Sequence, residues 1–396
     1  MIDEVMITAV NESSASDSDI YSTVSDLKPS EELYSYAERV VIGFICLFVC
    51  IFGSVGNTLV IIAVLLSRKL QTPPNAFVVS LATADLLTSL FLIWNVVALL
   101  SPEDWPLPNA KWLCTLAGFI NVMGIGVSLF CLAAISLNRY ILITKPYKTY
   151  QRVYSPVKIG LMVILIWIYH FGILLTLSLN RYISFGYDQK YHECSDFEHN
   201  DSKIRGLIVT LAKGINLFLV LAIVIFSYAF VFRHVRRHFK RKRRRELNNM
   251  QASSSGIAGE PSRHPQQAWY VTENSTQGDS TSLPEASGQP NRRRENTYDR
   301  KDLEVTKNLF IIVAVFFLCF MPYCTLLFFP GSGDFLRLYG VVLIYSNSSI
   351  NPVIYACRHP HFKVVFRAMI QCQYQNIPEP TGILKRLYTR RLNPQQ

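Results

Sequence analysis

Seven mostly apolar runs divide this chain, at Val40–Leu66, Ala76–Leu100, Cys114–Ile143, Val157–Leu179, Ile204–Phe232, Thr306–Phe329 and Phe335–Cys357. About 20 such residues are what an α-helix needs to cross the hydrocarbon core of a bilayer. In lipid every backbone N–H and C=O must find a partner inside the protein, so spans of this length are helical. The connections are mostly short, which makes neighbouring helices antiparallel. The expected fold is an all-α membrane protein, a bundle of seven transmembrane helices. No internal repeat is evident, which argues against an inverted-repeat transporter.

Composition agrees. Half the residues are hydrophobic, mean hydropathy is +0.22, and 17% are charged, against roughly a quarter in soluble domains. This disfavours a secreted disulfide scaffold, a disordered protein and a cytosolic enzyme. The net charge is nevertheless +11, and its distribution sets the orientation. One set of loops holds Arg68, Lys69, Lys145, Lys148, Arg152 and the cluster Arg236–Arg245, and the C-terminal tail adds Arg386, Arg390 and Arg391. The opposite side is acidic, with Asp3, Glu4, Glu12, Asp17, Asp19, Asp26, Glu31 and Glu32 in the N-terminal tail. The N-terminus is therefore expected outside and the C-terminus inside. The positive charge records topology and is not a nucleic-acid footprint.

The expected organisation follows. Residues 1–38 form an acidic extracellular tail and residues 39–357 the transmembrane domain. Residues 358–372 form a short amphipathic cytoplasmic helix and residues 373–396 a cytoplasmic tail. The third cytoplasmic loop, about 240–304, is rich in Ser, Gln, Gly and Pro and is expected to be disordered. Its basic run Lys240–Arg245 reads either as a contact for anionic lipid or a signalling partner, or as a topogenic anchor. Sequons place glycosylation at Asn11 and Asn200, and Arg293-Arg294 before Thr297 gives Thr297 the pattern of a basophilic-kinase site. No secretory leader is evident, so the first span is expected to direct insertion. Cys114 and Cys194 are the cysteines that fall outside, where two thiols in an oxidising compartment should pair. Cys372, after the amphipathic segment, reads as a palmitoylation site or an idle thiol.

Polar residues within the spans carry the functional argument, because a charge near mid-bilayer costs roughly 2.5–3.5 kcal/mol. Asp85 lies about 15 Å above the cytoplasmic end of span two, and Asn57, Ser128 and Asn347 sit at about the same depth in spans one, three and seven. Ser348 and Asn351 lie at or just below that layer. One carboxylate among hydroxyls and amides is either a Na⁺ site with oxygen ligands or a helix-packing network around a protonated Asp85. Arg139 ends span three, where it can snorkel or pair with Asp302 at the start of span six. Lys213, about ten residues into span five with Arg205 nearer the mouth, either meets an anionic ligand, or snorkels or bonds to a neighbouring helix. His170 in span four reads as a core histidine.

Together these residues resemble the rhodopsin-like (class A) G-protein-coupled receptors, over about residues 38–372. The motifs are Gly56-Asn57, Leu81-Ala-Thr-Ala-Asp85, Cys114, Asn138-Arg139-Tyr140, Trp167, Tyr228, Cys319-Phe-Met-Pro322 and Asn351-Pro352-Val-Ile-Tyr355, then Phe362. Asn138 replaces the usual Asp and Phe320 the usual Trp, and span five lacks its proline near Val220. Within the family this is similar to the melatonin-receptor, Moody and Trapped-in-endoderm neighbourhood. The resemblance implies a multi-pass plasma-membrane receptor that is not an enzyme and carries an extracellular signal to heterotrimeric G proteins by outward movement of span six. It further implies arrestin and receptor-kinase partners, and no cofactor beyond an allosteric Na⁺. Coupling would fall to Asn138, Arg139, Tyr140, Tyr228, Asp302, Asn351, Pro352 and Tyr355, and a ligand pocket to Asn121, Lys213, Phe320 and His170. Asn121 stands where amine receptors carry their aspartate, so the expected ligand is not an amine but an anionic or lipid-like molecule. An ion-coupled transporter or channel, or a signalling-silent scaffold, is the competing reading.

Overall fold

The computed structural model describes residues 34–102, 104–198, 203–255, 314–325 and 334–386. Asn11, Asn200, Thr297 and Asp302 lie outside these residues. The span helices are α1 (Tyr36–Leu66), α2 (Asn75–Leu100), α3 (Lys111–Thr144), α4 (Pro156–Leu179), α5 (Lys203–Ser255), α6 (Ala314–Thr325) and α7 (Asp334–Arg358). The first five are each long and apolar enough to cross a membrane. α7 has the length but carries Ser346, Asn347, Ser348, Ser349 and Asn351. α8 (Pro360–Ile370) is the expected short amphipathic helix after span seven.

Local sequence explains the helix ends. Ser35 and Glu38 form a capping box at the start of α1, with Ser35 Oγ accepting from the Glu38 N–H and Glu38 Oε2 accepting from the Ser35 N–H at 2.9 Å. α1 therefore begins four residues before the apolar run. α5 corrects the expected loop boundary, because the helix runs through the basic cluster at Lys240–Arg245 to Ser255. Lys, Arg, Glu, Leu and Gln are good helix formers, and charge alone does not end a helix.

The chain between α4 and α5 adds an element absent from the seven-helix expectation. Ile183–Asp188 (β1) and Glu193–Glu198 (β2) pair antiparallel, with Tyr187 opposite Cys194. The expected disulfide joins Cys194 to Cys114 near the start of α3 and ties this hairpin across the mouth. The strand lies directly on the helix: a Cβ at Gly118 would fall 3.0 Å from the carbonyl oxygen of Ser195. Gly56 similarly lets α1 meet α7, since a Cβ there would fall 2.8 Å from Pro352 Cβ.

The main core joins α2, α3, α5, α6 and α7 through Leu81, Val127, Leu132, Val220, Phe316 and Ile344. A second core lies at the α1 C-terminus, where Leu66, Leu70, Phe362, Val365, Phe366, Ile377 and Leu384 are buried together. The tail after α8 thus folds back. The last turn of α1 leaves carbonyls without helical partners, and Thr381 supplies two. Its N–H donates to Leu66 O and its Oγ1 to Leu65 O, each at 3.0 Å. Ser67 Oγ donates to Pro378 O at 2.7 Å. Cys372 is exposed at the α8 C-terminus.

Candidate functional site

The polar layer expected within the bundle is assembled. Asn351 Nδ2 donates to Asp85 Oδ2 at 2.7 Å, tying α7 to α2 beside Pro352. Asn57 Nδ2 donates to Ser348 O and to Gly53 O, each at 2.9 Å, which brings α1 to the same place. Ser128 and Ser348 lie beside the Asp85 carboxylate. Asp85, Asn57, Ser128, Asn347, Ser348 and Asn351 are all buried. Three oxygens of this layer, Asp85 Oδ1, Asn57 Oδ1 and Ser128 Oγ, have no hydrogen-bond partner. Buried oxygens seldom stay unpaired without cost, so the layer has unused capacity for a donor or a hard cation.

Near the C-terminal end of α3, Arg139 is half-buried and forms no ion pair among the described residues. Tyr228, Tyr355 and His359 lie within electrostatic reach of it. Tyr140 packs against Phe230 of α5 at 5.8 Å. His359 caps α8 by accepting from the Phe362 N–H. Burial, reinforced by the Arg139 and His361 charges, holds its imidazole pKa down at about 4. Asn138 points away from solvent and donates to Tyr150 OH in the helix Tyr147–Val153.

Between the helices and the hairpin lies a cavity of about 190 Å³. Most of its wall is apolar, including Ile125, Leu129, Phe130, Leu174, Leu217 and Phe320. Its polar wall includes His170, Ser195, Asp196, Lys213, Asn216 and Tyr323. Lys213 Nζ lies 2.6 Å from Asp196 Oδ2. Of the two readings of Lys213, the pair favours a locally bonded lysine over an ammonium awaiting an anionic ligand, because β2 supplies the carboxylate. Asp196 lies two residues after Cys194, and alternate strand residues share a face. That spacing was the available signal, but only once the strand was known.

His170 and Phe320 line the cavity. His170 is also satisfied locally, with Nδ1 2.9 Å from Ile166 O and the ring edge-on to Phe130. Asn121 does not line it. It is fully buried on the same helical stripe as Gly118 and Gly124, which face Ser195 and Thr88, whereas Val122, Ile125, Gly126 and Leu129 turn to the cavity. Asn121 thus sits on the stripe by which Gly118 and Gly124 meet the hairpin and α2.

A buried arginine missed by the sequence reading holds the hairpin down. Arg39 Nη1 donates to Ser101 O at 2.8 Å and to His192 Nδ1 at 3.0 Å. Tyr187 OH lies 2.8 Å from the same nitrogen. A guanidinium can only donate, so His192 Nδ1 accepts and the ring carries its proton on Nε2.

A family model described as "7 transmembrane receptor (rhodopsin family)" matches residues 56–355. The G-protein coupled receptor moody of Drosophila pseudoobscura pseudoobscura is 28% identical over 356 residues, covering 82% of this chain and 51% of that protein. The moody receptor of Drosophila melanogaster is 28% identical over 354 residues, covering 84% and 52%. The chain thus spans about half the length of each. The fold is similar to that in the crystal structure of squid rhodopsin, with a TM-score of 0.64 at 19% identity over 87% of this chain and 88% of that one.

Proposed function

The chain belongs to the rhodopsin family of seven-transmembrane receptors, and on that premise we propose that it carries an extracellular ligand signal to heterotrimeric G proteins from the plasma membrane. The observation that carries this reading is the Asp85–Asn351 hydrogen bond. It links the middle of the bundle to the Pro352 turn of α7, about one turn from Tyr355 and near Arg139's neighbourhood, with the ligand-sized cavity above.

In this reading the N-terminal tail is outside, and a ligand occupies the cavity beside His170, Lys213 and Phe320. It favours an arrangement in which span six moves outward and opens a cytoplasmic cleft. Arg139, Tyr140 and Tyr228 then face the G protein, while Asn351, Pro352 and Tyr355 repack. Asp302 would hold Arg139 in the resting state. The ligand can shift this equilibrium only by its differential affinity for the two states. The Lys213–Asp196 pair leaves the polar wall near neutrality, so a mainly apolar ligand body fits better than a simple anion.

Na⁺ is proposed as the allosteric ion. The unpaired oxygens of Asp85, Ser128 and Asn57 are of the type a hard cation takes, and the bound ion would supply charge that neutralises Asp85. Arrestin and receptor kinases are proposed partners on the cytoplasmic side. Nucleotide exchange on purified G proteins, with the receptor in nanodiscs, tests the reading. Exchange is expected without ligand and to rise with one of the lipid, amine or peptide pools. No exchange on any G protein would overturn it.

A further inference from the structure

The folded-back tail brings cations from three segments to the rim of one apolar core. Leu70, Phe362, Phe366 and Leu384 are buried together at the end of α1. Lys69, Lys363 and Arg367 each adjoin one of them in the chain, Arg386 lies two residues beyond Leu384, and all four are exposed. Exposed Arg68 joins them on the turn Arg68–Leu70, where its N–H donates to Glu379 O at 2.9 Å. Among the described residues none of these five side chains forms an ion pair. Glu379 is the only acidic residue between Arg358 and Arg386. Like charges at i and i+4, such as Lys363 and Arg367, repel one another, so an anion over this rim would stabilise it. Exposed apolar side chains, Val364, Ile370 and Ile383, are set among the cations. On α8, Lys363, Arg367 and Ile370 fall on one face, opposite buried Phe362, Val365 and Phe366.

We propose that this rim is a docking surface for a membrane lipid with a polyphosphorylated inositol headgroup. Arg68, Lys69 and Arg386 take the headgroup phosphates, and the Lys363–Arg367–Ile370 face of α8 rests on the bilayer beside them. Guanidinium groups suit phosphate because their paired N–H donors match its oxygens. An acidic protein would match the charge but leave Val364, Ile370 and Ile383 in water. A lipid matches the charge while its bilayer receives the apolar side chains, as it does for interfacial amphipathic helices. The proposal rests on the receptor reading above, which puts α8 and the tail at the cytoplasmic leaflet.

The test uses full-length receptor in detergent, with native mass spectrometry counting bound short-chain lipid. The probes are phosphatidylinositol bisphosphate and phosphatidylserine, with inositol trisphosphate as the free headgroup. The bisphosphate lipid is expected to bind the wild type about tenfold or more tightly than phosphatidylserine, because several cations meet its added phosphates. Arg68→Gln, Lys69→Gln and Arg386→Gln together should remove that preference. Arg241→Gln, Arg243→Gln and Arg244→Gln together, in the basic run of α5, should leave it in place. Equal binding of the two lipids, preference that survives the first triple variant, or preference lost in the second overturns the proposal. Displacement of the lipid by an equal concentration of inositol trisphosphate would mark a soluble-phosphate site and overturn it too. The wild-type comparison does not depend on any variant folding. Lipid preference in a receptor that activates no G protein would leave the surface standing and overturn the receptor reading instead.

Discussion

Asn138 Nδ2 donates to the hydroxyl of Tyr150 across 3.4 Å, and both side chains are buried. The bond joins the C-terminal end of α3 to the helix Tyr147–Val153, where Tyr150 also packs on Tyr154 at 5.4 Å. An amide satisfies Tyr150 without bringing charge to Arg139. A carboxylate at the same position would accept from Tyr150 and attract the guanidinium as well. The substitution that marks this chain therefore keeps the loop contact and gives up the electrostatic one.

Asn138→Asp should accordingly lower agonist-free nucleotide exchange. A partly exposed ion pair is worth about 1 kcal/mol, which corresponds to about a fivefold fall in the active population. Exchange assays on receptor matched for surface density measure it. Unchanged basal exchange would sink the idea that Asn138 leaves Arg139 loosely held.

Sodium sensitivity should depend on Asp85. Replacing K⁺ by Na⁺ at constant ionic strength should reduce basal exchange of the wild type, and Asp85→Asn should respond equally to both ions. The Asn351–Asp85 contact can persist in the variant as an amide–amide bond, so loss of sodium response with retained expression separates ion binding from packing. Equal sodium responses in the two proteins would count against the site.

The long-range order of this chain was legible because each span states its own burden. Apolar runs gave the helices, and Asp85, Asn57, Ser128 and Asn351 were aligned by rise per residue alone, a depth that the hydrogen bonds reproduce. What stayed hidden involves pairs that no single segment specifies. Lys213 is far from Asp196 until β2 is folded and pinned by Cys194. The placement of Asn121 has the same origin, since depth along α3 is readable from the sequence but the azimuth that sets it on the stripe of Gly118 and Gly124 comes from packing. Helical continuation of α5 through Lys240–Arg245 was missed because the basic run was grouped with the Ser/Gln/Gly/Pro-rich loop that follows it.

The Lys213–Asp196 pair should be worth more than a surface ion pair, because Asp196 is 7% exposed while Lys213 is 31% exposed. Lys213→Gln should lower stability by about 1–2 kcal/mol by stranding the carboxylate. Adding Asp196→Asn should recover much of that loss. A thermal double-mutant cycle in nanodiscs measures the coupling. Additive effects of the two changes would show that the contact contributes nothing.

His359 should make the start of α8 pH-sensitive. Its folded pKa of about 4 lies below the ordinary 6.5 through burial first, with Arg139 and His361 adding repulsion. Between those values the unfolded segment binds more protons than the folded one, so stability rises with pH across the window. The contribution is complete above about 6.5 and is lost as pH falls toward 4, on the order of 1–3 kcal/mol in total. Amide exchange at Phe362–Phe366, corrected for intrinsic rates, should therefore be faster at about pH 5 than at neutral pH. His359→Asn retains a side-chain acceptor for the Phe362 N–H without the titration, and should flatten the profile. The same pH profile in His359→Asn and wild type would assign the effect elsewhere.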